Sequence, residues 1–153
     1  MSLKIRKAKK EDLSAVLQLI EELAIFENEP HAVEVTLEEL TNDFVNESFN
    51  CLVAELQNEI VGIALYYNRY STWKGKTIHL EDLIVTQSQR GKGVGKALLN
   101  EVVSIAKATN LRRVEWNVLD WNTPAIDFYK SVGATVFNDW LVVQLDEKGI
   151  NKY

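Results

Sequence analysis

Between an apolar run that ends near Val85 and an amphipathic run that begins near Val94, the chain reads Gln89-Arg90-Gly91-Lys92-Gly93-Val94-Gly95-Lys96-Ala97. Three glycines at alternate positions, bracketed by cations and leading directly into a helical pattern, describe a strand, a tight turn and a helix in immediate succession. Glycine admits positive φ and lets a ligand approach the backbone closely, and the first turn of a helix offers unpaired N–H groups and the positive end of its dipole. The stretch therefore predicts an anion cradle whose natural guest carries phosphate. The plainer alternative is a basic, flexible turn entering a surface helix.

The remaining pattern surrounds this unit with a mixed sheet. Leu3 to Lys7 alternates as a short strand, and Leu13, Val16, Leu17, Ile20, Leu23 and Ala24 recur at helical spacing between Lys10 and Glu27, a helix that Pro30 is expected to stop. Thr36 and Glu39 have capping-box spacing and predict a second helix over Leu37 to Val45. Asn50–Glu55 and Ile60–Tyr70 read as a hairpin joined by Leu56-Gln57-Asn58-Glu59. A turn around Trp73 and Gly75 leads to a strand over Thr77–Val85, and the helix after the glycines runs to about Thr109. Arg112–Leu119 is strand-like, and Thr123-Pro124 opens a helix ending near Gly133. Thr135–Phe137 and Trp140–Leu145 are expected as two final strands joined by Asn138-Asp139. The predicted class is α/β (α+β): a mixed, mostly antiparallel sheet of six to seven strands flanked by four helices.

A chain of 153 residues suits one domain, here residues 1–153, and its net charge of −5 gives no general attraction to nucleic acid or an anionic membrane. Lys92 and Lys96 thus form a local positive island on an acidic protein that favours cationic substrates. One cysteine, Cys51, excludes an internal disulfide, and the start Met1-Ser2-Leu3-Lys4-Ile5-Arg6 lacks the apolar core of a signal peptide, so a cytoplasmic location is expected. His31, His79 and Cys51 have no zinc-ligand spacing, and no metal is expected. Cys51 sits in the apolar run Cys51-Leu52-Val53-Ala54 and reads as a buried structural thiol.

Two common glycine motifs fail on single letters. A Walker-type loop needs Ser or Thr after its Lys, and Ala97 follows Lys96; a dinucleotide fingerprint needs Gly or Ala where Leu98 stands. What remains, Arg90-x-x-Gly93-x-Gly95 between strand and helix, resembles the acetyl-coenzyme-A loop of the GNAT superfamily of N-acetyltransferases. The segments Tyr70-Ser71-Thr72-Trp73-Lys74-Gly75-Lys76-Thr77-Ile78, Leu80-Glu81-Asp82, Val118-Leu119-Asp120-Trp121-Asn122 and Asp127-Phe128-Tyr129-Lys130 are similar to its spermidine/spermine branch, most of all to diamine or thialysine-type members. Polyamine-acetylating members carry an acidic residue where this chain has Ser71, so a polyamine would lose one carboxylate partner.

The resemblance implies acetyl transfer from acetyl-CoA to a small primary amine, and a homodimer. An alkylammonium has a pKa near ~10.4, so a base must remove its proton before attack. Glu81 is the candidate base, directly or through water. In a regular strand Asp82 points to the opposite face, leaving it to orient a cationic substrate or to pair structurally. Out of context both read as strand-end carboxylates in salt bridges. Tyr129 is the candidate acid, a phenol of pKa near ~10, against the plainer role of a core tyrosine beside Phe128. A backbone N–H near Leu83 would meet the oxyanion. The segment Leu83-Ile84-Val85 would run beside the pantetheine through the main-chain groups of Leu83 and Val85. The amides of Arg90, Gly91, Lys92, Gly93, Val94, Gly95 and Lys96 would hold the pyrophosphate. Asn122 would contact the pantetheine end or simply open its helix; Trp73 would wall the amine pocket or pack the turn; Glu27 would meet the cation or remain solvated beside Glu29 and His31. The alternative functions are a spermidine/spermine acetyltransferase and a non-catalytic acyl-CoA sensor.

Overall fold

The alternation at Lys4 does become a strand, β1 (Lys4–Lys7), and it lies at one edge of a single sheet. A computed structural model describes residues 2–153, which divide into two units, residues 2–116 and 117–153. In the first unit β1 is followed by α1 (Leu13–Phe26), α2 (Leu37–Val45), β2 (Asn50–Leu56), β3 (Glu59–Ser71), β4 (Gly75–Val85), α3 (Val94–Ala108) and β5 (Val114–Glu115). Sheet order equals chain order, with antiparallel pairs up to β4 and a parallel β4–β5 pair. The mixed, mostly antiparallel sheet flanked by helices is thus as expected.

Local chemistry explains the boundaries. Thr36 caps α2 by accepting from the Glu39 amide at 3.1 Å, as its spacing predicted. Pro30 does not stop α1. Asn28 adopts φ 61°, its N–H donates to Ile25 O and the Glu29 N–H to Ala24 O, so a Schellman closure ends the helix before the proline. Gln57 and Asn58 both take positive φ, the two-residue turn that matches the twist of the β2–β3 hairpin.

The helices cover opposite faces of the sheet. Leu13, Val16 and Leu19 of α1 and Leu40 of α2 pack on Cys51, Val53, Ile63, Leu65 and Ile84. On the other face α3 comes so close to Gly62 that a Cβ there would stand 3.2 Å from Leu98 Cδ1.

The second unit holds α4 (Thr123–Ser131) and α5 (Glu147–Lys152). The two strands expected within residues 135–145 are absent: the segment has no ladder partner, and Trp140 and Val143 are 76% and 92% exposed. Apolar β-formers supply propensity, but a strand exists only when its backbone groups find a neighbour. The expected strand over residues 112–119 likewise shrinks to Val114–Glu115. Five strands form among the described residues instead of six or seven.

Candidate functional site

The geometry turns on one irregularity. β3 and β4 pair as Ala64↔Leu83 and Leu65↔Asp82, then as Tyr66↔Leu80, so Glu81 is an extra residue with nothing opposite it. Such a bulge re-aims side chains and breaks alternation. Glu81 Oε1 accepts a hydrogen bond from the Tyr67 hydroxyl at 3.3 Å and lies 3.9 Å from His79 Nε2. Tyr67 shares its face of β3 with Leu65, the partner of Asp82. Glu81 and Asp82 therefore serve the same face, and the expectation that alternation separates them is corrected.

Asp82 is set against the core beside Leu65, and its carboxyl is pushed up to about 6, chiefly by burial and further by the charges of Glu81 and Glu27. Glu27, at the C-cap of α1, is half-buried and is itself raised by burial. Three carboxylates predicted separately thus converge where the end of α1 meets the bulge. Cys51 is buried, with its thiol pushed up to about 12, first by desolvation and then by Asp12 and Asp82, so it is no nucleophile.

The bulge also decides what the strand edge offers. β5 pairs with β4 only at Ile78↔Val114 and His79↔Glu115; among the described residues no strand pairs with the outer edge of β4 from Leu80 to Val85. Before the bulge Ile78 faces outward, donating its N–H to Arg113 O; after it the Thr86 N–H donates inward to Val61 O. Alternation from Thr86 turns the main-chain groups of Leu83 and Val85 outward. Ile84 commits its main chain to β3 and its side chain, 3% exposed, to the core.

At the end of that edge stands the glycine cradle. Gly91 and Gly93 have φ of 77° and 84°, and a Cβ on either would meet nothing within 4 Å, so left-handed backbone demands glycine while the space before the amides is open. Gly93 is the N-cap of α3, Val94 buries its side chain and leaves its amide to the helix end, and Gly95 and Lys96 complete the first turn. The Lys92 ammonium donates to Gln89 Oε1 at 3.1 Å.

Arg90 is held from three sides: its Nε donates to Val85 O at 2.8 Å, its guanidinium lies 5.1 Å above the Phe26 ring, and Nη2 is 3.8 Å from Glu22 Oε1. The Glu22 carboxylate also accepts from the Thr86 hydroxyl at 3.1 Å and the Gln87 amide at 3.0 Å. Sequence reasoning missed Glu22, because on the polar side of α1 nothing distinguishes it from Glu21. It missed Tyr67 because its relation to Glu81 passes through strand pairing, and His79, which alternation alone sets on the face of Glu81, because it was weighed only as a metal ligand.

Trp73 is not brought to the carboxylates of its own chain. It lies at the β3–β4 hairpin tip, 82% exposed, separated from Glu81 by roughly 20 Å of strand. In the second unit Asn122, not Thr123, is the N-cap of α4; its Oδ1 accepts from the Ala125 amide at 3.4 Å. Tyr129 is half-buried on α4, its ring centroid 5.5 Å from that of Phe128.

The sequence model of the acetyltransferase (GNAT) family matches residues 13–134. The chain is 39% identical over 140 residues to thialysine N-epsilon-acetyltransferase of Bos taurus, covering 85% of this chain and 82% of that one. To the Mus musculus protein of the same name it is 34% identical over 164 residues, covering 99% and 96%. Among solved structures, an integron cassette protein of V. cholerae superposes with a TM-score of 0.80 at 25% identity, covering 99% of this chain and 97% of that one.

Proposed function

This chain belongs to the GNAT acetyltransferase family, and on that premise we propose direct transfer of acetyl from acetyl-CoA to the primary amine of a small diamine, thialysine or lysine-like acceptor. One observation carries the proposal: the edge of β4 that no strand covers among the described residues has a carboxylate cluster at its start and the glycine cradle at its end. An extended ligand arm can add to that edge as a strand, with its phosphates at the amides and its reactive end at the bulge.

Acetyl-CoA, when bound, supplies an activated acetyl thioester. Glu81 accepts the ammonium proton, directly or through water, while ionised Asp82 and Glu27 hold the cation. The outward N–H of Leu83 donates to the carbonyl oxygen as charge develops there. Tyr129 gives its hydroxyl proton to the departing sulfur. The names of the relatives support a lysine-like amine, and so does Ser71. Its hydroxyl accepts from the Trp73 and Lys74 amides at 3.2 and 3.1 Å, so it closes the turn and supplies no charge for a polyamine.

A thiol-release assay with acetyl-CoA across thialysine, lysine, diamines and spermidine tests this. Thialysine or lysine-like amines should outrun spermidine, and Glu81→Gln and Tyr129→Phe should each lower kcat by on the order of 10²-fold or more. Coenzyme A binding without turnover of any amine would make the chain a sensor and end the proposal.

A further inference from the structure

His79 is 8% exposed, sits two residues from Glu81 and has no part in the reaction just described. The charged and titratable groups facing it come from three strands. β3 supplies Tyr67, with ring centroids 5.3 Å apart, and Arg69, whose Nη1 is 3.4 Å from His79 Nδ1. β4 supplies Glu81, 3.9 Å from Nε2, and β5 supplies Glu115, 3.9 Å from Nδ1. Glu115 in turn pairs with Arg69 at 2.7 Å and with Arg113 at 3.6 Å.

These contacts decide where the imidazole keeps its proton. A guanidinium only donates, so Nδ1 must accept from Arg69, and the single proton of the neutral ring then resides on Nε2. Nε2 stands 3.9 Å from Glu81 Oε1, which already accepts from the Tyr67 hydroxyl. We infer that His79 is a positioning residue for Glu81: Arg69, anchored by Glu115, holds its ring in the Nε2–H form, and the ring, with Tyr67, fixes and favours the ionised carboxylate that takes the amine proton. The inference rests on the proposed role of Glu81 as base.

The physical consequence is directional. A donor beside Glu81 stabilises the charged form of its carboxylate. Removing it must therefore move the acid limb of kcat/KM for the amine to higher pH, and it leaves the acetyl-CoA site untouched.

Two measurements test this. Nitrogen-15 NMR of the wild-type protein, with the His79 ring assigned by comparison with His79→Gln, should show Nδ1 unprotonated and Nε2 protonated; a dominant Nδ1–H form overturns the inference without reference to activity. In steady-state assays His79→Phe should shift the acid limb upward by on the order of one pH unit, a tenfold loss on the acid side, with KM for acetyl-CoA unchanged. His79→Gln, whose amide N–H replaces Nε2–H, should restore most of the wild-type profile and stands in should the phenylalanine variant not fold. If Glu81→Gln is inactive yet both His79 variants superimpose on the wild-type profile, His79 only fills space and the inference fails alone. Full activity of Glu81→Gln removes the base assignment itself and, with it, the catalytic meaning of the His79 contact.

Discussion

At the scale of single residues, Asp82 shows how burial creates a pH-dependent group. Its folded pKa, about 6, stands above the ordinary 3.8, so between those values the folded protein binds a proton that the unfolded chain has released. Stability contributed by the protonated form is full below about 4 and is lost as pH rises through 6. The difference of 6 − 3.8 corresponds to at most about 3 kcal/mol, less whatever solvent screens. The melting temperature of an Asp82→Asn variant, followed from pH 4 to 7.5, should fall less steeply than that of the wild type. Parallel curves would show that Asp82 is not buried with its charge. A cationic acceptor should have the converse effect, since its ammonium favours the ionised carboxylate, and this ties the stability of an empty site to its affinity for amines.

At the scale of elements, the carboxylate cluster and the cradle are linked by α1. Glu27 closes that helix beside Asp82, and one turn earlier Glu22 binds the Thr86 hydroxyl, the Gln87 amide and Arg90 at the entrance to the glycine turn. Glu22→Ala removes an acceptor shared by two donors, together with the ion-pair partner of Arg90, and lets the turn before α3 relax. KM for acetyl-CoA should rise by about tenfold, the worth of one charge-assisted bond, while kcat changes less than twofold. A fall in kcat at constant KM would place Glu22 in the chemistry instead of the cradle. Thr36 with its cap on Glu39, the Gly91 and Gly93 turn and the register of α2 were legible in the sequence, because each depends on residues within a few positions. The end of α1 near Glu27 was legible, but its cause was assigned to Pro30, whereas the backbone has already turned at Asn28.

At the scale of the molecule, the net charge of −5 favours a cationic acceptor and opposes a polyanionic donor, for which the proposed cradle of oriented amides, Lys92 and Lys96 would be the local exception. Raising NaCl from 50 to 500 mM shortens the Debye length from roughly 14 Å to 4 Å, so KM should rise for the amine and for acetyl-CoA alike. An amine KM indifferent to salt would contradict recognition by the Glu27, Glu81 and Asp82 cluster. Among the described residues no helix is long and apolar enough to cross a membrane.

The sequence by itself determined the cradle, the helices that frame the sheet and the residue types able to move a proton, since glycine φ, capping and periodicity are local properties of the chain. Only the tertiary structure decided that Glu81 and Asp82 serve one face, that Leu83 and Val85 turn outward, and that His79 and Tyr67 reach the proposed base. The first two follow from a single unpaired residue in β4, the third from the pairing of Tyr67 with His79, and both bulge and pairing exist only in the register between two strands, which no stretch of either strand specifies alone. The same reason explains residues 135–145, where strand-forming composition met no partner and no strand formed.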